Sequence, residues 1–67
     1  MDKEQLLKGL RRKKEDLTNE HNRLERALQE DIKDGDYSHM AKIASELKSV
    51  CDRVGLLREI IEDIEAE

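Results

Sequence analysis

The segment MAKIASELKSVCDRVGLLREIIEDI, residues 40–64, carries an unbroken apolar series at alternating spacings of three and four residues. The series consists of Met40, Ile43, Leu47, Val50, Val54, Leu57, Ile61 and Ile64. Because an α-helix has about 3.6 residues per turn, these side chains share one face of a helix. The segment therefore predicts a long helix whose apolar stripe must be covered by another surface.

The strongest break in the helical pattern is DIKDGDYS, residues 31–38. Gly35 suits the left-handed residue that ends a helix. Asp36 suits the N-cap of the next helix, with Ser38 as the alternative cap. We therefore predict helix 1 over about residues 2–33, a turn over 34–36 and helix 2 over about 36–66.

These two predicted helices have similar lengths and a short connection, which is typical of an antiparallel pair. The sequence accordingly predicts an all-α fold, a helical hairpin forming one domain over residues 1–67. The turn and its flanks resemble the helix–Gly-Asp-Tyr–helix turn of α-hairpin modules, including tetratricopeptide-like repeats. That resemblance implies hairpin geometry alone.

The charges favour the same pairing of the helices. Residues 1–14 are rich in Lys and Arg, whereas residues 55–67 are rich in Asp and Glu. Folding the chain at Gly35 places the basic segment beside the acidic one. Exposed ion pairs contribute only about 0–1 kcal/mol each, so they select the orientation of the helices more than they stabilise the fold.

Helix 1 offers a narrower apolar stripe than helix 2. Its leucines recur every seven residues at 10, 17 and 24. We predict that Lys13 and Glu20 occupy the heptad core positions between these leucines, with Lys14 and His21 beside them. Part of helix 2 should then remain uncovered in a single hairpin. A second copy would cover it in a homodimeric four-helix bundle or coiled coil. The predicted self-association residues are Met40, Ile43, Leu47, Val50, Cys51, Val54, Leu57, Ile61 and Ile64.

Composition limits the other possibilities. The chain has 67 residues, one cysteine and no proline, and 45% of its residues are charged. A single thiol excludes an internal disulfide, and no leader-like segment is evident, which together predict a cytoplasmic protein. No apolar run approaches the ~18 residues of a membrane span, so no membrane partner is expected. The net charge of −4 disfavours nucleic acid as the main partner.

Metal and catalytic motifs find little support. His21 and Cys51 fall at one level of the hairpin, and a two-fold dimer would gather two of each as a conceivable zinc set, but the usual close ligand spacing is missing. The favoured interpretation makes Cys51 a small buried side chain and His21 a tolerated polar core residue. The Asp31 segment lacks the ligand spacing of a calcium loop. Asp36 and His39 are interpreted as a cap and an exposed histidine. We predict no metal, no cofactor and no enzymatic activity.

The basic run RRKK, residues 11–14, supports an alternative function. Lys8, Arg11, Arg12 and Lys14 are the candidate contacts for RNA or DNA. The architecture would resemble the small plasmid-encoded helical-hairpin dimers that bind RNA loops. No aromatic residue lies nearby to stack on bases, and the acidic segment should neutralise part of the run, so a solvated, ion-paired face is favoured.

A further surface is predicted on helix 2. Gly55, Leu56 and Ile60 lie beside the main stripe and form a candidate docking surface for another protein. The sequence therefore predicts a non-catalytic protein–protein interaction module that self-associates and binds or blocks another macromolecule. Its size suits a bacterial or phage regulator. Nucleic-acid binding and an oligomerisation arm of a larger assembly are the two alternatives.

Overall fold

The computed structural model describes residues 2–67 and contains two helices, α1 (Lys3–Asp34) and α2 (Tyr37–Ala66). They run antiparallel and pack along their length in a rod of 49 × 14 × 14 Å. Its length is close to the ~48 Å rise of a straight helix of this size. The predicted all-α hairpin is confirmed, and each helix begins and ends within about a residue of its predicted bounds, which is the ordinary uncertainty of helix ends.

Local hydrogen bonds fix the ends of the helices. At the start of α1, the Asp2 carboxylate accepts from the backbone N–H of Gln5 at 2.8 Å. At its end, Gly35 adopts a left-handed conformation with φ 75°, and the backbone N–H groups of Gly35 and Asp36 donate to the Asp31 carbonyl. The Asp36 carboxylate then accepts from the backbone N–H of His39 at 3.2 Å. The predictions for Gly35 and Asp36 are confirmed, and Ser38 lies inside α2.

The core is a single seam between the two helices. Its buried apolar residues are Leu7, Leu17, Leu24, Ile43, Val50 and Ile61. Every apolar member of the 40–64 stripe is buried or half-buried, so α1 covers much of that stripe within one hairpin. The prediction that helix 2 is left partly uncovered therefore applies to its flanks, where Leu56 and Ile60 are exposed.

The assignment of Lys13 and Glu20 to the seam is wrong. Both side chains are exposed, whereas Lys14 and His21 are half-buried between the helices. Spacings of three and four around Leu10, Leu17 and Leu24 reach positions 14 and 21 equally well, and packing selects these. The seam of α1 therefore runs continuously but contains three polar side chains, Lys14, His21 and Asp31.

Over residues 2–67, neither helix carries an apolar stretch long enough to cross a lipid bilayer.

Candidate interaction surface

The seam follows the seven-residue pattern of a coiled coil, with core positions a and d. On α1 the a residues are Leu7, Lys14, His21 and Leu28, and the d residues are Leu10, Leu17, Leu24 and Asp31. On α2 the a residues are Met40, Leu47, Val54 and Ile61, and the d residues are Ile43, Val50, Leu57 and Ile64. All of these side chains are buried or half-buried, so the pattern describes the observed packing.

The two edges of the seam differ in side-chain burial, both in the middle of the hairpin and in the half next to the turn. From residue 14 to residue 54, every d side chain is buried: Leu17, Leu24, Asp31, Ile43 and Val50. Over the same range, every a side chain is only half-buried: Lys14, His21, Leu28, Met40, Leu47 and Val54. We call the first set the closed edge. The second set, together with Thr18, Ala44 and Cys51 beside it, is the open edge.

Side-chain length explains the difference. The positions flanking the closed edge include four long side chains, Lys13, Glu20, Glu46 and Arg53, whose aliphatic stems can lie over neighbouring apolar residues, and one short side chain, Ala27. The corresponding positions on the open edge include Thr18, Ala44 and Cys51, which are too short to do so. Two grooves that are lined by both helices lie on the open edge.

One of these grooves lies at the middle of the hairpin and contains the candidate His–Cys pair. Thr18, His21, Cys51 and Val54 line it, so His21 and Cys51 share one level as predicted. Within a single hairpin Cys51 is not buried as interpreted, because its side chain is exposed there. The ring of His21 instead faces Glu25, with Nδ1 3.7 Å from Oε2, one helical turn away.

A second polar cluster, at the turn, was only partly anticipated. Nδ1 of His39 lies 2.5 Å from Oδ2 of Asp31, and Asp31 is 9% exposed. Asp36 completes a group whose possible ligand atoms lie within 4.8 Å of one another. Asp36 caps α2 and Asp31 satisfies His39, so each has a structural role. The signal for Asp31 was present in the sequence, since it continues the seven-residue series of Leu10, Leu17 and Leu24.

An exposed apolar patch lies at the end of the hairpin opposite the turn. Leu6, Leu56 and Ile60 are 40%, 57% and 37% exposed, and we call them the terminal patch. The ion pair between Arg11 and Glu65 fixes the register of this end on the open-edge side. In that register Ile60 is level with residues 11–16 of α1, Leu6 lies nearer the chain ends, and Leu56 lies one turn before Ile60.

Gly55 does not share the flank of Leu56 and Ile60. Successive residues of a helix are rotated by about 100°, which turns Gly55 toward the open-edge side of α2. It is half-buried, and a Cβ atom built there would meet nothing within 4 Å. The hairpin itself therefore does not require glycine at this position. The three residues of the predicted docking surface divide between two faces of the helix.

The candidate nucleic-acid residues lie among acidic side chains. Lys8 and Arg12 are exposed, Lys14 is half-buried, and Arg11 is bound to Glu65. The two grooves beside this run are also lined by carboxylates, namely Glu4, Glu15, Glu62 and Glu65. A phosphate backbone approaching the run would meet these carboxylates as well, which opposes its binding.

Comparison with protein-family models, with curated proteins and with solved structures gave no match to this chain.

Proposed function

We propose that this protein is a non-catalytic interaction module that pairs with a second copy through its open edge and then binds or blocks another macromolecule. The half-burial of every a side chain from residue 14 to residue 54 carries this proposal. Over the same range, the d side chains of the closed edge are all buried and leave no comparable apolar surface for a partner. Pairing of two open edges would build a four-helix bundle with the closed edges on the outside.

Hydrophobic burial would supply the driving force. Leu28, Met40, Leu47 and Val54 each retain exposed apolar area in the single hairpin. Each Å² of apolar area removed from water contributes about 25 cal/mol, so several half-buried side chains together matter for a chain of this size. The short side chains of Thr18, Ala44 and Cys51 leave room for the second hairpin to approach closely.

The geometry at Cys51 supports a non-catalytic role. His21 lines the same groove, but its Nδ1–Oε2 distance of 3.7 Å to Glu25 is longer than a hydrogen bond. Cys51 lies in the interior of α2, where backbone N–H groups are used by the helix. No free pair of backbone donors is therefore available to stabilise an oxyanion beside its thiol.

Absolute molar mass by light scattering over a range of concentrations tests the proposal. We expect a mass near twice the 7.8 kDa of one chain. Cys51→Glu places a charge on the open edge and should return the mass to that of one chain. Ser49→Glu is the matched control, because it adds the same charge at an exposed position of α2 on the other flank.

Three results would contradict this assignment of the dimer interface. These are a single-chain mass at every concentration, dissociation caused equally by both variants, and a dimer that tolerates Cys51→Glu. A mass well above two chains would instead favour an oligomerisation arm. Nucleic-acid binding would appear as RNA or DNA affinity that falls steeply with salt and is lost in a Lys8→Gln, Arg12→Gln double variant.

A further inference from the structure

We propose that the two copies of this chain pair with their turns at the same end, so that the apolar part of each open edge covers that of the other. This inference rests on the proposed dimer and specifies which surfaces meet in it. The apolar part consists of six residues next to the turn, which we call the turn patch: Leu28, Ile32, Tyr37, Met40, Ala44 and Leu47.

The turn patch contains the two most exposed large apolar side chains in the described part of the chain. Tyr37 is 79% exposed and Ile32 is 60% exposed. Members of the patch on one helix are three or four residues apart and therefore share a face. The contact between Asp31 and His39 sets the level of the two helices here and places Ile32 between Tyr37 and Met40 along the hairpin. The two faces therefore form one surface.

Charged residues divide the open-edge side of the hairpin into two unlike halves. This side of each helix consists of position a and the two positions next to it, e and b. In the half next to the turn, residues 22–50, these helical positions carry two charges, Glu25 and Lys48. In the half next to the chain ends they carry eight, namely Glu4, Lys8, Arg11, Lys14, Glu15, Arg58, Glu62 and Glu65. The turn half therefore offers a nearly uncharged surface to a partner.

A two-fold axis parallel to the hairpins joins like halves. Rotation about this axis keeps every residue at its own level and places α1 of each copy against α2 of the other. Ile32 then faces Tyr37 and Ala44 of the second copy, and the two turn patches cover each other. The half-buried a residues between residue 14 and residue 54 are covered by the same contact.

The charges nearer the chain ends are complementary in this arrangement. The hairpin itself pairs Arg11 of α1 with Glu65 of α2. Because the rotation keeps the levels unchanged, it repeats between the copies the pairing of α1 with α2 that exists within each one. The facing pairs of opposite charge are Lys8 with Glu62, Arg11 with Glu65, and Glu15 with Arg58. Such complementarity selects the orientation of two surfaces.

The remaining charges of the open-edge side are also opposed by charges of the other sign. Glu25 of α1 and Lys48 of α2 lie at nearly the same level on helices that would face each other. The pairing brings the two Lys14 side chains to one level, but Glu62 and Glu65 line the same groove as Lys14 in each hairpin. Their carboxylates offset the repulsion between the two lysines.

Two other arrangements of the copies fit less well. Antiparallel pairing over the full length would place each turn patch on the charged half of the other copy and remove those charges from water. A staggered antiparallel pairing, centred on the turn patches, would cover them but leave the open edge around Cys51 and Val54 uncovered. Pairing with the turns together avoids both costs.

Cross-linking between copies tests the arrangement in the full chain. Ala44, Cys51 and Arg58 are exposed and occupy position e in successive heptads of α2. Pairing with the turns together brings each of them close to its own copy, near the axis of a bundle whose neighbouring helices lie about 8–10 Å apart. We therefore expect a short bismaleimide to join the copies at native Cys51 and, in a Cys51→Ser background, at Ala44→Cys and at Arg58→Cys. Ser45→Cys in the same background is the matched control, because position 45 is exposed but lies on the outer side of α2.

The other arrangements give different cross-linking patterns. Full antiparallel overlap would join the copies at Cys51, near the middle of α2, but would separate the two copies of Ala44 or of Arg58 by about 20 Å. Staggered pairing centred on the turn patches would join the copies at position 44 alone. Either pattern would overturn the inference and leave the proposed dimer in place. Equal cross-linking at Ser45→Cys would place the contact on another face and overturn it as well.

The dissociation constant of the dimer tests the turn patch without added cysteines. Ile32→Ser should weaken pairing by about tenfold or more, because the substitution removes an apolar side chain from both copies at once. Leu56→Ser is the matched control, because Leu56 is 57% exposed, close to the 60% of Ile32, but lies on the outer side of α2. It should change the dissociation constant by less than about twofold.

Light scattering over a concentration series measures both variants, and circular dichroism checks that each keeps its helix content. Equal weakening by Ile32→Ser and Leu56→Ser, or no weakening by Ile32→Ser, would contradict the role of the turn patch. A single-chain mass of the unchanged protein at every concentration would remove the proposed dimer, and this inference with it.

Discussion

The closed and open edges of this hairpin are built from the same two helices, yet similar side chains are buried to different extents on the two edges. Leu24 on the closed edge is 7% exposed, whereas Leu28, one turn later on the open edge, is half-buried. The difference accompanies the residues flanking the seam, because the short side chains of Thr18, Ala44 and Cys51 lie on the open edge and the long ones of Glu20, Glu46 and Arg53 on the closed edge. Flanking residues therefore decide which side of a two-helix seam is complete and which remains available to a partner.

Truncating one leucine on each edge should give the largest difference between the edges in the free energy of unfolding. Leu24→Ala should lower the free energy of unfolding by about 2–4 kcal/mol, as for a buried core leucine. Leu28→Ala should cost about half as much or less, because less of its area is buried. Urea unfolding followed by circular dichroism, at a concentration where light scattering shows a single chain, measures both. Equal costs at that concentration would mean that the edges do not differ.

The bounds of the helices, their caps and the core face of α2 could be predicted from the sequence, because Gly35, Asp36 and the 40–64 stripe each have a single physical interpretation. The frame of α1 could not, because Lys13, Lys14, Glu20 and His21 are all polar and no apolar signal selects among them. Asp31 continues the leucine series, but a carboxylate is not expected at a core position. The unequal edges depend on how the helices rotate about their axes, which an apolar a/d pattern alone leaves free.

Asp31 on the closed edge is the only buried polar residue in the described part of the chain. Asp31→Ala removes the carboxylate that partners His39 and should cost about 1 kcal/mol, a modest loss because the His39 side chain is 47% exposed to water. Glu30→Ala is the matched control, because it removes a carboxylate at a neighbouring exposed position near the same helix end. Thermal unfolding of both variants measures the difference, and equal shifts would show that the Asp31–His39 contact does not stabilise the turn.

The smallest expected effects come from the two glycines inside the helices. Gly9→Ala and Gly55→Ala should each stabilise a single hairpin by up to about 1 kcal/mol, since neither new methyl group meets another atom within 4 Å. Only Gly55 is turned toward the open edge. Gly55→Ala should therefore also weaken self-association if the second hairpin approaches there, and Gly9→Ala should not. Melting temperature and molar mass, measured on the same samples, separate the two effects.

The two-residue connection at Gly35 and Asp36 has a consequence for the order in which the chain folds. Contacts between the helices join residues 8 apart in sequence at Asp31 and His39 but 54 apart at Arg11 and Glu65. Closing a longer loop costs more entropy, so pairing should begin at the turn and proceed toward the chain ends. The end that closes last is also the end that opens most readily. Amide hydrogen exchange should accordingly be faster around Leu6 and Ile60 than around Leu24 and Ile43.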